Sequence, residues 1–358
     1  MIKKILLPFI VIVFVVSVNV YAFPAPSQAN DFSVFDISYG NDPYQKGVLA
    51  VPNSGDNFPI LIFFLGGGYK TITIGDNPFA MTDLWEALHC TRGKIAVAIF
   101  KYRLGPENKW PAQLEDAIAA VQKIRKIAPK YKLNPNNIVV MGHSAGAHLA
   151  LMTGLQSPSV FGNGFPGFKG IINYSGITNF QVNNSVITKI AKTLDLNEQE
   201  KIKASPALIL TASAPPIFTV HGKLDTVIPF GQAEQLINKI ALKKAKGAFL
   251  PVKNGSHVYA PVNSALPISP DRNTIAKRAI MFAWYYMGVV RPFDVTGDGK
   301  IDRLDYDEVI RAQGSFGFKI VGGTISGMSN NWNPFADINR DGVINSVDAK
   351  LMLSRIGG

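Results

Sequence analysis

The sequence predicts an α/β fold, in which helices cover both faces of a mostly parallel sheet, followed by a small all-α domain. Short apolar runs typical of strands lie at residues 47–51, 59–64, 95–100, 138–141, 170–174, 217–220 and 248–252. Helical patterns alternate with these runs at residues 110–128, 232–244 and 273–287, where apolar side chains recur at spacings of three and four. Continuous apolar strands that alternate with helices are typical of a parallel sheet buried on both faces.

Length and composition limit the class of protein. The 358 residues suggest two domains, and 47% hydrophobic with 17% charged residues allow a sizeable core and argue against disorder. The net charge of +11 is scattered, and no nucleic-acid recognition motif accompanies it. We therefore expect solvated helix faces, as at residues 239–246, and no nucleic-acid partner, although a mild affinity for acidic polymers stays open. A single cysteine, Cys90, excludes an intrachain disulfide.

The first 22 residues have the pattern of a secretory signal peptide. Lys3 and Lys4 precede an apolar run at residues 5–18, and small residues occupy the positions that a signal peptidase reads before a cut after Ala22. The run is too short for a comfortable membrane span. We therefore expect cleavage after Ala22, a secreted or periplasmic protein, and no membrane span once the signal is removed.

The remaining chain divides by composition. Residues 23–291 carry the strand and helix alternation, and residues 292–358, beyond Arg291 and Pro292, carry Asp and Gly at a regular spacing. No long linker separates the two parts, so we expect them to abut. Residues 177–206 interrupt the alternation with a polar, helix-prone stretch that follows a strand, which makes them a candidate cap over a site.

The most informative motif is G-x-S-x-G at residues 142–146, which lies between a predicted strand and a predicted helix. A serine on such a turn projects from the sheet edge in front of a helix N-terminus, so Ser144 is the candidate nucleophile. The alternative is a chance Gly-rich turn, which the strand–turn–helix context disfavours.

A serine nucleophile needs a base, and the base needs a carboxylate that fixes its tautomer. Asp225 lies in the run H-G-x-x-D-x-x-I-P directly after a predicted strand, and His257 follows the last strand of the first domain. The order serine, aspartate, histidine is the order found in α/β-hydrolases. An ordinary turn aspartate and a surface histidine are the alternatives. Structural roles are expected for the other histidines, which are His89, His143, His148 and His221.

An oxyanion requires fixed backbone N–H donors. Ala145, the residue after the nucleophile, is one candidate, and the other candidates lie in the glycine-rich run at residues 65–69, which follows a strand. Glycines allow the backbone to approach a substrate oxygen closely. Such a run could also hold a phosphate, but the lysine and serine of a P-loop are missing.

The motifs LGGGY (65–69), YRLGPENKWPAQLED (102–116), GHSAG (142–146), HGKLDTVIP (221–229) and GSH (255–257) resemble the bacterial esterase and lipase branch of the α/β-hydrolase superfamily. The similarity is to secreted acetyl- or feruloyl-esterase-like and hormone-sensitive-lipase-like enzymes, over about residues 35 to 287. It implies that Ser144, Asp225 and His257 form a catalytic triad, with Gly67, Gly68 and Ala145 as oxyanion donors. It assigns no chemistry to Arg103 or Asp116. Leu65 departs from the family pattern, which has histidine at this position.

The resemblance implies a serine esterase that acts through an acyl-enzyme and needs no cofactor for catalysis. The expected substrate is a small-molecule or polysaccharide ester, such as acetylated or feruloylated polysaccharide. The same triad would also suit an amide, a formamide or a short-chain lipid ester, and a hydrolase scaffold kept only for binding is a third alternative. Because the base must be neutral to accept a proton, the rate is expected to fall on acidification.

Two segments near the C-terminus fit a calcium loop, in which oxygen ligands surround a hard cation and glycine forms the sharp turn. The candidate ligands of the first loop are Asp294, Thr296, Asp298, the carbonyl of Lys300, Asp302 and Asp305, and those of the second are Asp337, Asn339, Asp341, the carbonyl of Val343, Asn345 and Asp348. Helical patterns follow at residues 306–312 and 349–356. The alternative for one loop is an acidic turn; two in tandem favour structural Ca²⁺.

The two loop–helix units resemble a dockerin over about residues 293–358. This resemblance implies a cohesin-type protein partner. Two features depart from the dockerin pattern: the connector at residues 314–334 is long, and the pairs Arg303-Leu304 and Ser346-Val347, at the positions of cohesin contact, are unlike each other. The ligands at position 12, Asp305 and Asp348, are shorter than the bidentate Glu of an EF-hand. Calcium-supported folding is therefore the firmer of the two expectations.

Overall fold

The computed structural model describes residues 32–72, 94–289, 300–313, 320–321, 324–325, 336 and 344–356. The predicted signal peptide, His89 and Cys90 lie outside the described residues. Within them, no helix has both the length and the apolar character needed to cross a membrane.

In the described part of the chain, eight strands form one sheet. They are β1 Phe32–Ser38, β2 Lys46–Pro52, β3 Phe58–Phe64, β4 Ala96–Phe100, β5 Leu133–His143, β6 Gly170–Tyr174, β7 Ile217–Gly222 and β8 Gly247–Val252. The order across the sheet is β1-β2-β4-β3-β5-β6-β7-β8. The pairs β1–β2 and β2–β4 are antiparallel and the pairs from β4 to β8 are parallel. The predicted mostly parallel α/β sheet is thereby confirmed, and β1 is an additional strand.

The described helices are α1 Ala112–Ile127, α2 Ala145–Gly154, α3 Ser185–Thr193, α4 Glu198–Lys203, α5 Pro206–Ile209, α6 Gly231–Leu242, α7 Arg272–Met287, α8 Arg303–Ala312 and α9 Ser346–Ile356. Short 3₁₀ turns follow α1 at Ala128–Tyr131 and α2 at Pro158–Phe161. The helices predicted at residues 110–128, 232–244 and 273–287 correspond to α1, α6 and α7.

Alternating strand residues supply two separate apolar layers. In β3, Ile60, Ile62 and Phe64 belong to the layer that contains buried residues of α1, α2 and α6, whereas Leu61 and Phe63 belong to the layer that contains α7. Successive side chains of a strand point to opposite faces, so a strand covered on both faces is apolar throughout. Every residue of α2, the helix after Ser144, is buried.

The stretch at residues 177–206, called the cap segment below, is anchored in the core. Asn184 accepts hydrogen bonds from the first turn of α3, and Asn197 forms a capping box with Glu200 at the start of α4. Ile177, Phe180, Ile187, Ile190 and Leu194 lie in the same apolar layer as α2. The segment is therefore fixed by packing, and its role as a cap stays a prediction.

The two C-terminal helices begin with matching caps. Asp302 accepts a hydrogen bond from Leu304 N (2.8 Å), and Asp305 accepts one from Asp302 N (2.8 Å). Asn345 and Asp348 repeat this arrangement at the start of α9. Val309, Ala312, Ala336, Ile344, Ala349 and Met352 are the buried residues of a small apolar cluster that both helices share. The predicted helices at residues 306–312 and 349–356 are confirmed.

Candidate active site

Ser144 lies at a sharp turn between β5, which ends at His143, and α2, which begins at Ala145. Its φ and ψ are 57° and −121°, a conformation that a residue with a Cβ rarely adopts. The backbone is held there because Ser144 N donates to Tyr174 O at the end of the neighbouring strand β6 (2.8 Å). The serine therefore lies at the carboxyl edge of the sheet, and the backbone hydrogen bond to Tyr174 holds it in this strained conformation.

The two glycines of the motif are required by close backbone contact. A Cβ on Gly142 would lie 2.2 Å from the carbonyl carbon of Gly146, and a Cβ on Gly146 would lie 2.0 Å from Phe64 O. Both distances are far below van der Waals contact. The turn therefore presses directly against its own helix and against the end of β3.

Asp225 follows β7 and is held by two backbone donors. Its Oδ1 accepts hydrogen bonds from Val227 N (2.8 Å) and Ile228 N (2.9 Å). Its Oδ2 lies 2.7 Å from Nδ1 of His257, and the aspartate side chain is fully buried. Both carboxylate oxygens are therefore fixed, with one of them aimed at the predicted base.

His257 lies in the loop after β8, with 12% of its side chain exposed. Since Asp225 is an acceptor, Nδ1 carries the proton in this pair, which leaves Nε2 able to accept a proton. The backbone oxygen of His257 lies 2.9 Å from Nε2 of His143, and the two imidazole rings are 4.7 Å apart. This contact fixes the His257 loop beside the residue that directly precedes Ser144.

The glycine-rich run at residues 65–69, called the oxyanion loop below, lies against the nucleophile turn. Gly67 and Gly68 have φ values of 134° and 61°, which favour glycine. A Cβ on Gly66 would lie 3.4 Å from the Cβ of Ser144. The hydroxyl of Tyr69 is 3.1 Å from Ala145 O. The structure therefore brings the predicted oxyanion residues and the predicted nucleophile to one place.

The match to known families agrees with this arrangement. Residues 48–240, more than half of the chain, match the BD-FAE family model. The chain belongs to the BD-FAE family. Residues 292–357 match the Dockerin type I domain, so a C-terminal dockerin domain accompanies the BD-FAE domain.

Curated relatives are named as esterases. The chain is 25% identical over 250 residues to esterase LipC of Mycobacterium tuberculosis, covering 64% of this chain and 60% of the relative. It is 28% identical over 229 residues to the probable carboxylic ester hydrolase LipM of the same organism, covering 57% and 51%. The chain thus spans only about half to three fifths of the length of these relatives.

Solved structures share the fold. A truncated carbohydrate esterase from gut microbiota superposes with a TM-score of 0.58 at 19% identity, covering 71% of this chain and 98% of the other. Carboxyl esterase 2 from the fungus Tuber melanosporum gives a TM-score of 0.58 at 19% identity, covering 75% and 92%. At this level of identity the likeness shows the α/β-hydrolase fold of the BD-FAE domain alone.

His221, for which the sequence predicts only a structural role, contacts the predicted acid. The buried side chain of His221 places Nε2 2.8 Å from Ile228 O and 3.2 Å from Oδ2 of Asp225. Burial alone would raise the pKa of Asp225, but hydrogen bonds from His221 and His257 hold it well below its usual range. The motif H-G-x-x-D was the available signal, since its histidine and aspartate are four residues apart.

The other two histidines of the described site are neutral at ordinary pH. Burial lowers the pKa of His143 to about 4, and the nearby His257 adds to that effect. Burial also lowers the pKa of His148 to about 4, against a hydrogen bond to Ala204 O that raises it. Uncharged rings fit the supporting positions that the sequence predicted for both residues.

A buried ion pair joins the segment after β4 to α1. Asp116 is 1% exposed and accepts from the backbone N (2.7 Å), Nε (2.9 Å) and Nη2 (2.7 Å) of Arg103. Leu65, where histidine was expected, packs with the apolar layer that contains α7, and its carbonyl accepts a hydrogen bond from Tyr102 (2.7 Å). These contacts give Arg103, Asp116 and Leu65 a structural part in the fold.

The candidate calcium ligands are described only in part. Lys300, Asp302, Asp305, Asn345 and Asp348 belong to the described residues, and Asp305 and Asp348 are fully buried. Within the part of the chain that the structure describes, no group of three acidic, histidine or cysteine residues gathers as a metal site. The remaining candidates lie outside the described residues: Asp294, Thr296, Asp298, Asp337, Asn339, Asp341 and Val343.

Proposed function

We propose that this protein is a serine carboxylic-ester hydrolase in which Ser144, Asp225 and His257 form a catalytic triad. The observation that carries the proposal is the strained Ser144 turn, whose preceding residue His143 contacts the backbone of His257, together with the 2.7 Å between Nδ1 of His257 and a buried carboxylate. A serine, a base and a fixed carboxylate are the parts that acyl transfer requires. The esterase names of the curated relatives support the same reaction class.

In the first step, Ser144 Oγ attacks the ester carbonyl while Nε2 of His257 takes its proton. The negative charge that develops on the carbonyl oxygen is stabilised by the backbone N–H groups of Gly67, Gly68 and Ala145. His257 then gives its proton to the leaving alcohol. Asp225 stays ionised throughout, since its lowered pKa favours the carboxylate, and it stabilises the imidazolium that forms.

In the second step, water attacks the acyl-enzyme and His257 serves again as the base. His257 then gives this proton to Ser144 Oγ as the bond to the acyl group breaks and the carboxylic acid leaves, and the cycle closes without a cofactor. The buried surroundings of Asp225 keep water from competing for the hydrogen bond to His257.

The substrate class that we propose is an acetylated or feruloylated polysaccharide. The carbohydrate esterase among the structural neighbours supports it, as does the accompanying dockerin domain. An amide, a formamide or a short-chain lipid ester on the same triad is the alternative. A substrate panel that compares acetylated xylan, feruloylated oligosaccharide, N-formyl compounds and tributyrin would separate these classes.

The first experiment measures hydrolysis of p-nitrophenyl acetate by wild type, Ser144→Ala and the control Ser157→Ala. Ser157 is an exposed serine whose hydroxyl contacts Ser159, so its removal should leave the rate unchanged. We expect Ser144→Ala to lose on the order of 10⁴-fold in kcat/KM. Equal background rates for all three proteins, including with the full panel, would instead favour a non-catalytic binding scaffold.

We further propose that the dockerin domain binds structural Ca²⁺ through the two predicted loops, with the twelve candidate ligands named above. The described part of the domain fits this role, because the buried carboxylates of Asp305 and Asp348 each fix the start of a helix. Removal of calcium by EDTA should lower the melting temperature of the C-terminal domain and leave p-nitrophenyl acetate hydrolysis unchanged. Equilibrium dialysis without bound calcium would contradict the proposal.

We also propose that the dockerin domain binds a cohesin-type protein. We propose that the protein is exported by means of its N-terminal signal peptide. Cleavage after Ala22 would give a mature chain that begins at Phe23, with the BD-FAE domain at residues 23–291 and the dockerin domain at residues 292–358. N-terminal sequencing of the mature protein checks the cut, and a pull-down with and without calcium checks the partner.

A further inference from the structure

Tyr69, the last residue of the oxyanion loop, is tied down from three sides. Its side chain is fully buried, and its φ of 64° continues the left-handed backbone of Gly68. Its carbonyl accepts a hydrogen bond from Gly105 N (2.9 Å). Its hydroxyl lies 3.1 Å from Ala145 O and also contacts Nδ1 of His148. A residue fixed in this way limits the freedom of the two glycines directly before it.

His148 lies one turn after the nucleophile on α2, and its backbone N donates to Ser144 O (3.0 Å). The ring is fully buried, with Nε2 2.7 Å from Ala204 O at the end of the cap segment. The rings of Trp110 and Phe180 pack against it at 5.4 Å and 5.2 Å. One imidazole therefore contacts the oxyanion loop, the nucleophile helix and the cap segment.

The chemistry of these contacts fixes the tautomer of His148. A backbone carbonyl can only accept, so Nε2 carries the proton and Nδ1 is left as an acceptor. The hydroxyl of Tyr69 is then the donor to Nδ1. Both nitrogens of a buried neutral imidazole are satisfied by this arrangement, and neither is left for proton transfer with substrate.

We propose that His148 and Tyr69 are positioning residues that hold the oxyanion loop on the nucleophile helix and tie both to the cap segment. Neither touches the reacting atoms. They act through the backbone of Gly67, Gly68 and Ala145, whose N–H groups must point at an oxygen that is charged only in the transition state. Loss of the Tyr69–His148 contact should therefore reduce kcat and leave KM nearly unchanged.

The inference rests on the proposed esterase function, and Tyr69→Phe is its central test because it removes only a hydroxyl. We expect kcat for p-nitrophenyl acetate to fall about 10- to 100-fold, with KM within about threefold of wild type. Tyr39→Phe is the matched control, since it removes another tyrosine hydroxyl, one that donates to Lys101 O at 2.6 Å and not to His148. The control should retain the wild-type kcat.

Two variants of His148 separate its two hydrogen bonds. His148→Asn places an amide oxygen near Nδ1 and can still accept from Tyr69, whereas His148→Gln places an amide near Nε2 and can still donate to Ala204 O. We expect His148→Asn to retain more of kcat than His148→Gln. In the double variant Tyr69→Phe with His148→Gln, the loss should not exceed that of the worse single variant, because both act through one contact.

Thermal unfolding accompanies every variant. A Tyr69→Phe protein with kcat within twofold of wild type overturns the inference, as does one that is less thermostable with unchanged kcat, which would show a merely structural role. If Tyr69→Phe does not fold, the order of the two His148 variants decides, and equal kcat in both overturns the inference. A wild type without ester hydrolysis overturns the proposed function and the inference together, whereas an active wild type beside an unaffected Tyr69→Phe overturns the inference alone.

Discussion

Both carboxylate oxygens of Asp225 have hydrogen-bond partners among the described residues. Two backbone N–H groups, from Val227 and Ile228, occupy Oδ1, and the two histidines His221 and His257 meet at Oδ2. Hydrogen bonds to the charged form of a buried acid favour ionisation. The carboxylate therefore stays ionised at a buried position that excludes water, where its attraction to an imidazolium is strongest.

Replacement of that charge tests the assignment of the acid. In Asp225→Asn, the amide oxygen would accept from Val227 and Ile228, which directs the NH₂ group at His257. Nδ1 must then accept, so the proton moves to Nε2, which can no longer receive the proton of Ser144. We expect kcat for p-nitrophenyl acetate to fall on the order of 10⁴-fold without loss of fold. A variant within tenfold of wild type would contradict the role of Asp225.

The second histidine on the acid makes a separate prediction about pH. His221→Leu removes one of the two hydrogen bonds that lower the pKa of Asp225, so burial should raise that pKa. We expect a reduced kcat/KM whose acid limb moves to higher pH than in wild type. Among the described residues, the titratable groups near Asp225 are His221 and His257, which contact it, and His143 and Tyr259 at longer range. His221→Gln, which can still donate near Nε2, is the control and should keep a profile close to that of wild type.

At the scale of elements, the nucleophile turn depends on how closely α2 packs against β3. The helix is buried along its whole length, and its first turn lies against the backbone at the end of β3. The cap segment covers the same layer through α3, whose buried residues include Ile187 and Ala191. Because these elements share one apolar layer, a displacement of α2 would also move Ser144, the oxyanion loop and the cap segment.

Gly146→Ala tests that packing. The added Cβ would lie 2.0 Å from Phe64 O, a backbone atom that cannot move alone. We expect a loss of about 2 to 3 kcal/mol in the free energy of unfolding, measured by urea denaturation, because overpacking forces backbone shifts. Gly231→Ala is the matched control, since the nearest atom to its Cβ is 4.0 Å away at the end of the flexible Glu234 side chain. It should be neutral or slightly stabilising.

At the scale of the whole molecule, stability is linked to pH through histidines that fold in the neutral state. His143 and His148 have a pKa of about 4 in the folded protein, whereas an unfolded histidine titrates near 6.5. Between these values the unfolded chain binds more protons, so stability falls as pH falls from about 6.5 to 4. Asp225 acts in the same direction at lower pH, because its lowered pKa gives stability that is lost on further acidification.

The matching prediction concerns the free energy of unfolding between pH 7 and pH 4.5. We expect the wild-type protein to lose stability steadily over this window. The His148→Gln variant has no imidazole at this position to take up a proton. Its free energy of unfolding should therefore fall by about 2 kcal/mol less than that of wild type over the same window. Equal losses in wild type and variant would show that His148 binds protons alike in the folded and unfolded states. Differential scanning calorimetry in matched ionic strength provides the measurement.

Apolar periodicity does not predict β1 and predicts β5 too short, because the residues of these strands are unevenly buried. β1 has only two buried residues among seven, so no continuous apolar run announces it at the sheet edge. In β5 the run at residues 138–141 was evident, but the strand begins at Leu133 and includes partly exposed polar residues. Periodicity reports burial, and an edge strand or a strand end is paired by backbone hydrogen bonds that leave no such pattern.

The sequence by itself determined the α/β class, the parallel strands, the chain order of the proposed nucleophile, acid and base, and the two C-terminal loop–helix units, because these depend on local patterns and on motif order. Only the tertiary structure placed His143 on the loop of His257 114 residues away, and His148 on Tyr69 79 residues away. Such contacts depend on how distant segments pack, and no local spacing encodes which buried histidine meets which partner.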